Sequence, residues 1–193
     1  SNPQFTDEER TELEHEKFST LCDYYEDDEN VSAEHRFSYL KENFYRARFA
    51  DDDVRRSFFD IDWPYIYSLN IDDAIECSTR YKTIVLPNRD FRDELFNEEL
   101  CLIKLHGDIK DIVTYKQSDK IFTSTEYALS LTTNSLLKKL KADYGYQNIL
   151  FIGCSLDDEV DLKALSNAAI DFQFKDTLSR TIIFVKGQPS KLQ

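Results

Sequence analysis

Cysteine is scarce and scattered in this chain: Cys22, Cys77, Cys101 and Cys154, no two of them close together. That spacing excludes a zinc ribbon and a CxxC redox motif, and it fits reduced, partly buried thiols of a cytosolic protein. Methionine is absent, the initiator included, and the start Ser1-Asn2 reads as the scar of a processed tag. There is no apolar run long enough to cross a membrane and no signal peptide, so the expected location is the cytoplasm. Positive charge is short as well: 24 Lys and Arg against 37 Asp and Glu leave a net charge of −13. So acidic a surface repels phosphate backbones and anionic membranes, which removes nucleic acid and membrane from the expected partners. Glycine occurs only at 107, 145, 153 and 187. Internal repeats and low-complexity stretches are lacking too.

What is present is globular. Hydrophobic residues make up 41% and aromatic residues 13% of 193, enough for one domain with a real core. The helical spacing of Leu13, Phe18, Leu21 and Tyr25 predicts one helix over Asp7 to Tyr25. Ser32 is the expected N-cap of a second, Ala33 to Phe49. The acidic runs Glu26 to Glu29 and Asp51 to Asp53 lack calcium-loop spacing and read as solvated loops. After Trp63-Pro64 four short apolar runs read as strands: Tyr65 to Leu69, Leu100 to Leu105, Asn148 to Gly153 and Thr181 to Val185. Helices are expected over Ser124 to Asp143 and Asp157 to Phe172. Strands apolar on both faces, alternating with helices, predict an α/β fold: a Rossmann-like parallel sheet with flanking helices, preceded by a helical N-terminal segment.

Ligands of such sheets sit beyond the carboxyl ends of the strands. Those ends carry Asn70-Ile71-Asp72, His106-Gly107-Asp108 and Gly153-Cys154-Ser155. All are polar and two contain glycine. Asn70 can donate and accept at once, which suits ribose hydroxyls or a positioned water. Asp72 can accept from a carboxamide, or simply cap the next helix. His106 can act as a base near neutral pH, and Gly107 lets a ligand approach the backbone. His15 and His35 lie in the charged helical region and read as surface residues. The Gly153-Cys154-Ser155 junction opens a helix, so its N–H groups can meet a phosphate or hydroxyl, or Ser155 can serve as a plain cap.

Together these stretches resemble sirtuins. Ser68-Leu69-Asn70-Ile71-Asp72 is similar to the family's Gln-Asn-Ile-Asp, and Lys104-Leu105-His106-Gly107 to its Leu-His-Gly. Phe151 to Asp158 is similar to its Gly-x-Ser-Leu element, and Phe122 to Tyr127 to its Thr-x-x-x-Tyr lead into a helix. The likeness runs from about Trp63 to Val185 in family order. It implies two segments: residues 1–56, helical and acidic, packed on the core, and residues 57–193, a sirtuin-like Rossmann-type core without the first Gly-rich βα unit.

The resemblance also implies roles. Asn70 would touch the nicotinamide ribose or position the attacking water, and Asp72 with the Ile71 backbone would hold the carboxamide. His106 would take a proton from a ribose hydroxyl, with Gly107 beside it. Gly153 and Ser155, flanking Cys154, would contact the adenosine side. Only Asp108 to Ile121 separates Gly107 from the next element, with no cysteine, so no zinc and no other metal is expected and a deacylase is disfavoured. The implied activity is that of zinc-free bacterial sirtuin-like proteins: NAD, taken as substrate, is hydrolysed to nicotinamide and ADP-ribose in antiphage defence. The implied partners, beyond NAD, are further copies of the chain or another defence protein. A degenerate module that binds nucleotide or a partner without catalysis is the alternative.

Overall fold

The computed structural model describes residues 6–85, 100–115, 120–153, Leu165 and residues 181–184. The chain divides into two compact units, Ser1–Leu136 and Leu137–Gln193. Within the first lie helices α1 (Asp7–Leu13), α2 (Phe18–Asp27), α3 (Ala33–Phe44) and α4 (Val54–Phe59). They are followed by β1 (Tyr65–Ser68), α5 (Ala74–Ser78), β2 (Lys82–Val85), β3 (Cys101–Lys104), α6 (Ile109–Tyr115) and α7 (Ser124–Thr133). Helix α8 (Ser135–Tyr146) straddles the division, and β4 (Ile149–Ile152) and β5 (Thr181–Phe184) belong to the second unit.

All strand pairs are parallel. In the first unit β3 sits between β1 and β2, pairing Tyr65 with Cys101 on one side and Lys82 with Cys101 on the other. Every residue of β3 is buried, as a central parallel strand should be. In the second unit β4 pairs with β5, Ile149 opposite Thr181. The expected α/β character and parallel pairing are therefore observed, and each of the four expected strands falls within its predicted run. The sequence reading missed β2, which is short and begins with the charged Lys82; its place is defined by pairing with β3.

The helices needed more correction. The expected helix from Asp7 to Tyr25 is broken at Glu14–Lys17, where the His15 and Glu16 amides turn back to the Glu12 and Leu13 carbonyls. Ser32 does cap α3, accepting from the His35 amide at 3.2 Å. That helix stops at Phe44 rather than Phe49, because later donors are recruited elsewhere. The Ala47 amide donates to Asp73 Oδ1 at 2.8 Å and the Phe49 amide to Ser78 Oγ at 3.0 Å. Arg46, at φ 60°, makes the bend. Asp53, expected in a loop, caps the unforeseen α4 through the Arg55 amide. The expected helix Ser124 to Asp143 splits at Asn134, whose side chain is spent on the Leu105 carbonyl at 3.3 Å. The helix expected over Asp157 to Phe172 lies outside the described residues.

Two apolar assemblies hold the first unit in place. Below the first strand ends, Ile71, Ile109 and Ile112 form a buried cluster covered by Phe37, Leu40 and Phe44 of the α3 region and by Phe122. At the opposite ends of the strands, Phe49, Phe58, Phe59, Trp63 and Tyr81 stack together, with Phe49 and Phe59 parallel at 5.6 Å. Tyr81 pins the entries to β1 and β2: its hydroxyl donates to the Ile61 carbonyl at 2.5 Å and accepts from the Trp63 amide at 3.0 Å. Among the described residues no helix is long and apolar enough to cross a membrane.

Candidate functional site

Because β1 and β3 are parallel neighbours, with Ser68 opposite Lys104, the chain leaves both strands at the same end of the sheet. The Asn70-Ile71-Asp72 turn and the His106-Gly107-Asp108 turn therefore emerge side by side. They are bonded directly: the Ile109 amide donates to the Ile71 carbonyl at 2.9 Å, and the Leu105 amide to the Ser68 carbonyl at 2.9 Å.

Asn70 is exposed, and its amide is fixed by Ser68 Oγ at 3.2 Å. Ile71 turns its side chain into the apolar cluster. Asp72 is half-buried, and its Oδ1 accepts from the Ala74 amide at 3.0 Å, an Asx turn that leads into α5, whose N-cap is Asp73 and not Asp72. His106 is only 3% exposed, its ring perpendicular to that of Tyr127 at 5.0 Å between centroids. The Tyr127 hydroxyl lies 3.4 Å from His106 Nδ1. When Nδ1–H donates to that oxygen, the lone pair of the neutral ring is on Nε2, the tautomer a base needs. Gly107 has φ 96°, a conformation no side chain tolerates well, and it is buried. His15 and His35 are exposed, as expected.

Of the third turn, Gly153 ends β4 in the second unit, exposed and at φ 66°. Open space surrounds the position a Cβ would take, so glycine is needed there for the backbone alone. Cys154 and Ser155 lie outside the described residues.

Sequence reasoning overlooked the residues beneath the two turns. Lys104, at the end of β3, is 1% exposed. Its Nζ donates to the Ile71 carbonyl at 3.1 Å and to the Asp72 carbonyl, and it faces Glu76 Oε1 at 2.8 Å and Asp108 Oδ1 at 3.6 Å. Burial pushes the Glu76 carboxyl above the ordinary carboxylate range; the Lys104 charge pulls it back and Asp108 pushes it further up. Asp73, fully buried, binds the Ala47 amide and so ties the segment after α3 to α5. The signal for this cluster was a lysine inside an otherwise apolar strand. The signal for Tyr127 was its place in the stretch Phe122 to Tyr127, read for likeness only. Among the described residues no group of His, Cys, Asp and Glu side chains is arranged to hold a metal ion.

Compared with known families, residues 64–193 match the model of the SIR2-like domain, more than half of the chain. No curated protein and no solved structure matches it.

Proposed function

The chain belongs to the SIR2-like domain family, and on that footing we propose that it binds NAD and hydrolyses the nicotinamide–ribose bond, releasing nicotinamide and ADP-ribose. The observation that carries this reading is the direct bonding of two polar turns at the carboxyl ends of adjacent parallel strands, Ile109 amide to Ile71 carbonyl. Asp72 has one carboxylate oxygen committed to Ala74, which leaves Oδ2 to accept from a carboxamide. The Ile71 carbonyl already accepts from Ile109 and Lys104 and is not available to the carboxamide N–H; the carboxamide oxygen, an acceptor, would be met by an N–H of this turn. Asn70, which is exposed, would meet a ribose hydroxyl or the attacking water. His106, oriented by Tyr127, takes a ribose hydroxyl proton as positive charge grows on the sugar. Gly153, Cys154 and Ser155 are assigned to the adenosine half on likeness alone. Water supplies the oxygen added to C1′, and nicotinamide leaves with the bonding pair.

A Rossmann-like core over 57–193, a zinc-free bacterial type and a role in antiphage defence belong to the same reading and rest on the sequence likeness. Action on NAD alone or within an assembly, with further copies of the chain or another defence protein, is part of it. Binding without turnover is the second reading, favoured by the engagement of Asp72 in the turn that leads into α5.

The test is chromatography of NAD incubated with the full chain. Nicotinamide and ADP-ribose should appear in equal amounts, and Asn70→Ala and His106→Ala should each abolish them. NAD binding by calorimetry without product would leave only the second reading. Turnover that persists in His106→Ala would refute the role given to the histidine.

A further inference from the structure

We infer that Lys104 is a positioning residue, a single ammonium that ties the Ile71-Asp72 turn to the His106-Gly107-Asp108 turn and so sets the distance across the candidate site. The inference deepens the NAD reading and rests on it for its functional half.

The argument starts from what a lysine does inside a sheet. An ammonium taken out of water loses its hydration, which its partners must make good. Its neighbours in sequence, Leu102, Ile103 and Leu105, are all buried, so an apolar residue would serve the core at least as well. The ammonium is instead surrounded by oxygens from both turns. Two are main-chain carbonyls, Ile71 and Asp72, of the turn that follows β1. One is Asp108 Oδ1, in the turn that follows β3 itself. The fourth is Glu76 Oε1, on α5, the helix that Asp72 and Asp73 begin. Its N–H groups bond the two carbonyls, and its charge draws in the Glu76 and Asp108 carboxylates, so one ammonium fixes the relative position of all three segments. A side chain that only neutralised Glu76 would not need to reach the carbonyls.

The carboxylates are anchored in turn. Asp108 Oδ1 also accepts from the Lys110 amide at 3.1 Å, holding the start of α6. Both Glu76 oxygens are buried without a well-directed hydrogen bond among the described residues, so the Lys104 charge, 2.8 Å from Oε1, is what makes this carboxylate tolerable. Lys104 itself does not reach the surface where a substrate would lie. Its effect on chemistry passes through Asp72 and His106.

The experiment compares three full-length proteins: the unaltered chain, Lys104→Met/Glu76→Gln, and Phe59→Leu in the distant aromatic stack. The double change removes the ion pair together, so no charge is left without its counterpart at Glu76. Amide exchange is read at Ala74, Ile109 and Lys110, and NAD turnover in parallel. Exchange at all three amides should rise about tenfold more in the double variant than in Phe59→Leu at matched global stability, and kcat/KM should fall by at least about tenfold. Equal exchange in the two variants, or loosening of one turn alone, overturns the inference. Lysine-selective ¹⁵N labelling of the unaltered chain needs no variant to fold. The Lys104 ammonium protons should persist against exchange with water, and their rapid loss would overturn it too. Absence of NAD turnover in the unaltered chain would remove the proposed activity, while the amide and ammonium data would still decide the tie.

Discussion

The start of α7 should behave as one cooperative lock, and its strength follows from its bonds. Thr123 Oγ1 accepts from the Glu126 amide at 3.2 Å. Glu126 Oε2 reaches back to the amides of Phe122 and Thr123 at 2.8 and 2.9 Å, a capping box with an extra bond. Thr123→Ala removes one acceptor and should cost about 1 kcal/mol. Glu126→Ala strips two charge-assisted bonds to amides and the 3.4 Å contact with Lys120, and with its partial exposure discounted should cost about 2 kcal/mol, or a fall in Tm of about 6 °C. Glu126→Gln keeps an acceptor and should recover more than half of that loss. Because each residue holds the other's backbone, the double variant should lose less than the sum, by about 0.5 to 1 kcal/mol. Urea unfolding followed by circular dichroism at the helical band measures the unaltered chain and the four variants. Strict additivity, or a loss under about 0.5 kcal/mol for Glu126→Ala, would refute the reasoning. Tyr127, the next residue, faces His106, so the same variants should also loosen that contact.

Two further outcomes follow from charge and burial. Glu76 has its proton affinity raised in the folded chain, chiefly by burial. Its contribution to stability is therefore present below the ordinary value of 4.5 and lost as pH rises through the higher folded value. The unaltered chain should thus lose stability relative to Glu76→Gln as pH climbs above 4.5; a Tm difference that is flat with pH would contradict this. The Cys22 thiol is pushed up to about 11, mainly by burial and against the pull of Lys120. At pH 8 it should alkylate at least about tenfold more slowly than a free cysteine, read by mass spectrometry after iodoacetamide.

The fold was legible wherever local pattern and tertiary demand agreed. Tyr65 to Ser68, Cys101 to Lys104 and Ile149 to Ile152 are apolar enough to announce themselves, and they lie where expected. Pattern failed where distant partners compete for backbone. Helix α3 ends early because Asp73 and Ser78 take the amides of Ala47 and Phe49. The long helix breaks at Asn134 because its side chain serves Leu105. At the candidate site, Asn70, Ile71, Asp72, His106 and Gly107 were readable as strand-end residues. Their support was not, since a lysine in a strand carries no mark of the oxygens that surround it. Lys104, Glu76 and Asp73 acquire meaning only once β1 and β3 lie side by side.

The order of the first sheet, with its middle strand last in sequence, bears on how the chain is made. While a ribosome is still short of Cys101, β1 and β2 are both synthesised and neither has the neighbour it bonds to in the finished sheet. These pairings are parallel and non-local, so no tight hairpin makes them. Among the described strands, β1 and β2 thus wait until one four-residue segment emerges and zips both at once.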